Sequence, residues 1–450
     1  MMPVLVYLFG VGFFSNSNLP NTTGPFYILD HNDTIIITVS YRLGPFGFLA
    51  TDDGVIPGNL GLKDQSEALR WVFKHADSFG GDRFRVTLMG HSAGAVAAHM
   101  HMFSKLSSHL FHAIIAISGT ANVPFAIDEN PTQTARLTAK YCNVSNWDTI
   151  NTHELKKALQ EVDAHTLLNA GDHLKYWDVD NLVNYRPVIE DESPTAFITK
   201  HPKEYLRTGR YSPVPILFGR VPNEGGIRVV SIMESEQLKN QFNNNFTNLL
   251  ANLQEYPHYF TSPQITNKTG LIIKEYLNES TVLNDNTKQG FMNLLTDRLF
   301  YHPLYNAVKM YVNTINTVKY PVYMYSFNYP GIYTFADKFV NHDTKNKYGI
   351  IHGDDFFFIF STQAYFPIYA HNSTEAKALN LYIEDLLYFA HNRKPKHSVE
   401  KCNKVTFYPV EDRICLYMEY VKGQSGELIV KITDTFDTKR MKFWDDILHE

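Results

Sequence analysis

The stretch Val86-Thr87-Leu88-Met89-Gly90-His91-Ser92-Ala93-Gly94-Ala95-Val96-Ala97-Ala98 runs from an apolar segment through Gly-x-Ser-x-Gly into a series of small residues. That order reads as a strand, a very sharp turn with Ser92 at its apex, and a helix leaving the turn. Such a turn strains the serine backbone, and side chains two positions away on either side would collide, so glycine at 90 and 94 removes the clash. Ser92 is then raised above the carboxyl edge of a sheet, where the positive end of the following helix favours negative charge. Ser92 is therefore a candidate nucleophile. The plainer reading, an ordinary glycine turn between strand and helix, is weighed down by the agreement of strand, motif and helix.

Outward from this turn, Met1 to about Thr120 alternates short apolar runs with helical periodicity. The runs are Pro3 to Phe9, Thr34 to Ser40, Arg85 to Met89 and Ala113 to Ile117, near-continuous in apolar character as strands buried on both faces are. Leu62 to Ala76 carries helical spacing and is closed by Gly80-Gly81. The expected architecture is α/β, a mostly parallel central sheet with helices on both faces. Strand signals return at Pro213 to Phe218, Tyr320 to Phe327, Val405 to Pro409 and Leu428 to Ile432, after long helical stretches. With no repeat and no dividing linker, residues 1–450 read as one domain carrying helical insertions.

The 450 residues are 44% hydrophobic and 19% charged, with 31 Phe and 27 Tyr, a balance that excludes intrinsic disorder. A net charge of −5 without a basic stripe argues against a nucleic-acid partner. No run reaches the roughly 18 apolar residues of a spanning helix, so no integral membrane segment is expected. Met1 to Phe14 has no basic residue ahead of its apolar run and no small-x-small cleavage site, and reads as a buried strand entering a glycine turn. The three cysteines lack metal-ligand spacing, and no metal site is expected. Sequons at Asn21, Asn32, Asn143, Asn245, Asn267, Asn278 and Asn372 point to a secreted glycoprotein, in which Cys402 and Cys415 could close a short disulfide loop.

An acyl-transfer site needs backbone donors for an oxyanion, one after the serine and others from a glycine turn behind an earlier strand. Ala93 supplies the first. Phe9-Gly10-Val11-Gly12-Phe13-Phe14 stands at the expected point for the second, although glycine turns are common punctuation. The base should be a histidine far downstream with an acidic orienter between it and the serine in chain order. His352, in Gly349-Ile350-Ile351-His352-Gly353-Asp354-Asp355, suits an exposed loop. Glu224 falls just past the strand at Pro213 to Phe218, but residue logic alone leaves Glu190 and Asp191 open as the acid.

These residues taken together resemble the type-B carboxylesterases, the cholinesterase-like branch of the α/β-hydrolases, and the insect carboxylesterases in particular. The resemblance runs from about Pro3 to the last residues. Its densest part is Tyr41-Arg42-Leu43-Gly44-Pro45-Phe46-Gly47-Phe48-Leu49, Pro57-Gly58-Asn59-Leu60-Gly61-Leu62-Lys63-Asp64-Gln65, Ala68-Leu69-Arg70-Trp71-Val72, Phe79-Gly80-Gly81-Asp82 and the serine turn. Arg440-Met441-Lys442-Phe443-Trp444 is similar to the family's usual ending. The resemblance implies Ser92 as nucleophile, His352 as base and then acid, Glu224 as orienter, and an oxyanion hole from Val11, Gly12 and Ala93. It implies a small-molecule carboxylic ester as substrate and no cofactor, and leaves the oligomeric state unspecified.

Three departures from the family pattern bear on function. Members usually carry roughly a hundred residues before the glycine turn, so this chain reads as N-terminally truncated. The family's His-Gly-Gly-Gly-Phe is here Phe9-Gly10-Val11-Gly12-Phe13, which puts a β-branched residue in the oxyanion turn and implies reduced activity. His91 replaces the acidic residue or Gln that relatives place before the serine, and is expected to line the site. The competing reading is a non-catalytic relative that sequesters hydrophobic esters or serves adhesion; the presence of Ser92, Glu224 and His352 favours an enzyme. Phe356-Phe357-Phe358 reads as helix core in preference to substrate pocket.

Overall fold

The computed structural model describes residues 1–15, 18–256, 259–397, 417–433 and 438–449. Eight strands form one sheet: β1 Met2–Leu8, β2 Ile35–Val39, β3 Gly81–His91, β4 Ala113–Ile117, β5 Ile216–Arg220, β6 Val322–Asn328, β7 Tyr417–Lys422 and β8 Leu428–Thr433. Their spatial order is β2-β1-β3-β4-β5-β6-β7-β8, parallel throughout except for the last pair. β1 and β3 pair continuously from Val4 opposite Val86 to Leu8 opposite Gly90, after a register shift between Met2 and Val4.

The apolar runs form strands because both faces are covered: β1 from Pro3 to Leu8 and all of β4 are buried. Helices Leu60–His75, Ala93–His101 and Thr374–Asn392 supply much of that cover. The first of these is closed at His75 by a short turn ending on Gly80, whose φ of 81° only glycine adopts readily. β4 matches its sequence-based bounds, whereas β3 begins four residues earlier than expected, at Gly81, where its polar start pairs with the beginning of β1. The segment from Val405 to Pro409, together with Cys402 and Cys415, lies outside the described residues. β7 had no counterpart in the sequence reading; it buries Met418 and Tyr420 alternately near the antiparallel edge, a pattern too short to register as an apolar run. Among the described residues no helix is long and apolar enough to cross a membrane.

Parallel strands deliver their carboxyl ends to one edge of the sheet, and that is where the chemistry-bearing residues gather. Gly10 follows β1, Ser92 follows β3, Ser118 follows β4 and Glu224 lies in the turn after β5.

Candidate active site

Ser92 sits between β3 and the helix Ala93–His101 with φ 57° and ψ −126°, a conformation that non-glycine residues rarely adopt. Close packing holds it there. A β-carbon on Gly90 would lie 2.1 Å from the Gly94 carbonyl oxygen, and one on Gly10 would lie 2.2 Å from the His91 carbonyl oxygen. The Ser92 N–H donates to the Ile117 carbonyl at 2.8 Å, which ties the turn to the end of β4.

His352 arrives from the loop after β6. That loop is fixed by a single parallel bridge between Asn223 and Ile351. The Asn223 N–H donates to the Ile350 carbonyl at 3.1 Å and its side-chain amide donates to the Tyr348 carbonyl at 2.7 Å. The Glu224 turn and the His352 loop are thereby docked to each other independently of any contact between the Glu224 and His352 side chains. Asp354 completes the loop by accepting from the N–H groups of Ile351 and Phe335 and from the Thr334 hydroxyl. Burial nevertheless pushes its carboxyl up to about 8.

The three side chains meet. His352 Nε2 lies 2.9 Å from Ser92 Oγ, and His352 Nδ1 lies 2.6 Å from Glu224 Oε2. Glu224 is fully buried, and its second oxygen accepts from the Ser118 hydroxyl at 2.7 Å and the Val221 N–H at 3.0 Å. A carboxylate fixed by that many donors can hold an imidazole in one tautomer and orientation. Glu190, the alternative acid, is engaged elsewhere by Lys63, Asn59 and the Phe197 N–H. Asp191 is exposed at the surface. Ser118, whose backbone also takes a positive φ of 53°, and Phe300, whose ring centre is 4.8 Å from that of His352, escaped the sequence reading. The signal for Ser118 was present as Ile117-Ser118-Gly119 at a strand end.

In the glycine turn after β1, Val11, Gly12 and Phe13 all have φ near +60°. Val11 is thus held in the left-handed region that a β-branched residue resists. Ala93 is the first residue of its helix, where backbone N–H groups have no intrahelical acceptor.

A cavity of about 420 Å³ opens over Ser92 and His352, walled by Tyr7, Val11, Phe14, Phe125, Leu182 and Phe300 among others. Among the described residues its lining contains no Asp, Glu, Lys or Arg. Phe356 lies on this wall while Phe357 and Phe358 pack in the core, so the aromatic run serves both purposes. A second, more polar cavity of about 490 Å³, bounded by Asn122, Asp128, Arg186 and Arg298, shares only Val183 with the first. Among the described residues no group of three or more His, Cys, Asp or Glu is arranged to hold a metal ion.

The carboxylesterase family model matches residues 1–444. Juvenile hormone esterase of Tribolium castaneum is 33% identical over 381 residues, covering 81% of this chain and 63% of that protein. A carboxylic ester hydrolase of Bombus ignitus is 34% identical over 366 residues, again covering 81% and 63%. The chain therefore spans less than two thirds of the length of these relatives. The crystal structure of juvenile hormone esterase from Manduca sexta, with OTFP covalently attached, superposes with a TM-score of 0.80 at 24% identity. That alignment covers 100% of this chain and 81% of the other, and identifies the fold as that of the α/β-hydrolases.

Proposed function

The chain belongs to the carboxylesterase family, and from that premise we propose that it hydrolyses carboxylic esters through a covalent acyl-enzyme on Ser92. The observation that carries the proposal is the unbroken relay from Ser92 Oγ through both ring nitrogens of His352 to Glu224. As Oγ attacks the ester carbonyl carbon, its proton passes to His352 Nε2, and Glu224 stabilises the imidazolium through Nδ1–H. The N–H groups of Val11, Gly12 and Ala93 receive the negative charge on the carbonyl oxygen. Collapse returns the proton to the alkoxide, which leaves as alcohol; water, deprotonated by His352, then releases the acid from Ser92. One water is consumed per turnover, and the proton it gives to His352 passes to Ser92 Oγ as the acyl–serine bond breaks.

The uncharged, aromatic wall suits esters with a hydrophobic acyl or alcohol group. Secretion and glycosylation are part of the same proposal, supported by the exposure of all seven sequon asparagines. A second reading, a slow relative that chiefly sequesters its ligand, is favoured by one observation, the left-handed Val11.

Rapid mixing with p-nitrophenyl butyrate tests the first reading. It expects a burst of one p-nitrophenolate per chain, lost in Ser92→Ala. Binding of the ester with neither burst nor turnover would favour sequestration instead.

A further inference from the structure

His91, immediately before the nucleophile, lines the same cavity, and its Nε2 lies 3.4 Å from Oδ1 of Asp355. Asp355 is fully buried and does not line the cavity. Neither of its carboxyl oxygens has a hydrogen-bond partner, and neither does His91 Nε2. Three orphaned polar atoms thus converge behind the cavity wall.

A buried carboxylate without hydrogen bonds persists only when a proton or a cation neutralises it. Among the surrounding groups, the basic nitrogen that faces it is His91 Nε2, at 3.4 Å. Asp354 is another carboxyl, already engaged by Ile351, Phe335 and Thr334. The hydroxyls of Tyr7, Tyr325 and Tyr382 are buried, and the last two bond each other. His352, with its ring centre 5.4 Å from that of His91, is committed to Ser92 and Glu224. His91 is the remaining nitrogen base in reach.

We propose that His91 and Asp355 hold one proton between them, so that His91 screens a buried negative charge from the cavity and makes it selective for uncharged esters. The inference rests on the esterase reading of Ser92 and specifies the substrate class of that site. A cationic ester entering the cavity meets no counter-charge in the described lining, because the carboxylate behind this wall is covered by His91. Removing the imidazole opens Asp355 to the cavity as an uncompensated anion in a water-poor environment, where attraction to a cation is strong.

Acetylthiocholine and 3,3-dimethylbutyl thioacetate have the same shape and differ in charge, which makes their kcat/KM ratio a direct reading of this screening in the full chain. The wild-type should favour the neutral thioester by more than tenfold. His91→Ala should move the ratio at least tenfold towards the cation, and adding Asp355→Asn to that variant should reverse the move. An unchanged ratio in His91→Ala, or a change that survives Asp355→Asn, overturns the inference. Should His91→Ala fail to fold, His91→Gln keeps the volume but cannot carry the charge, and a shift of less than threefold in the same direction overturns it equally. Hydrolysis of neither thioester by the wild-type overturns the esterase reading and this inference with it. Hydrolysis of the neutral one with an unmoved ratio overturns this inference alone.

Discussion

A β-carbon placed on Gly94 would lie 2.1 Å from the carbonyl oxygen of Leu8. The helix that begins after Ser92 is therefore pressed directly against the last residue of β1, and the same closeness brings the Gly10 to Gly12 turn over the serine. Ser92 and the glycine turn after β1 are positioned by one contact. Gly94→Ala cannot be accommodated by a side-chain movement, because the obstructing atom is backbone. The expected loss is about 3 kcal/mol in denaturant unfolding. An unchanged midpoint would show that strand and helix separate more easily than this packing implies.

Val11 stands where a residue without a β-carbon would sit free of strain. At φ 59° its backbone costs on the order of 1–2 kcal/mol, and the N–H proposed as an oxyanion donor is held by a strained turn. Val11→Gly should raise kcat on a short ester, by up to about 10²-fold if the strain displaces one oxyanion donor. If kcat is unaltered, the turn already holds its donors correctly and the slow-enzyme reading loses its support.

Ser118 is not among the residues lining the cavity, and any part it has in the proposed reaction runs through its bond to Glu224. Its hydroxyl gives Glu224 Oε1 the shorter of two hydrogen bonds, at 2.7 Å against 3.0 Å from Val221. Ser118→Ala should lower kcat about 10-fold, as loss of one hydrogen bond to a charged group implies, with KM unchanged. A rise in KM at constant kcat would assign Ser118 to the cavity wall instead.

Acid should unfold this protein through the helix Ala93–His101 that follows Ser92. His99 and His101 are buried on it, and burial pushes both imidazoles down to about 3. Their folded pKa values lie below the unfolded value of roughly 6.5, so the unfolded chain binds more protons between those limits. The stability they contribute is present above about 6.5 and is lost as pH falls towards 3, at up to about 1.4 kcal/mol per pH unit for each histidine. Urea midpoints measured from pH 7 to pH 4 should fall accordingly, and His101→Gln should fall less steeply. Parallel slopes for the two proteins would contradict the assignment.

Much of this molecule is legible in its sequence because its strands are buried on both faces and its turns need glycine. Ala113 to Ile117 is bounded correctly for that reason, and Leu60–His75 differs by only a residue or two from the helical periodicity. Ser92 was visible because its motif encodes a steric requirement. The acid was less so: Glu190 and Glu224 both follow apolar segments, and only three-dimensional contacts show the first tied to Lys63 and the second to His352. Phe300 and Asp355 were invisible, since nothing in a one-dimensional pattern records which side chains a loop brings against an imidazole.

Reaction of the folded chain with a fluorophosphonate, followed by intact and peptide mass spectrometry, addresses the central claim without assuming any natural substrate. One phosphonyl group per chain is expected, located on Ser92, absent in Ser92→Ala and formed at least 10²-fold more slowly in His352→Gln. Folded protein that remains unlabelled, or a label that settles on another residue, would contradict it.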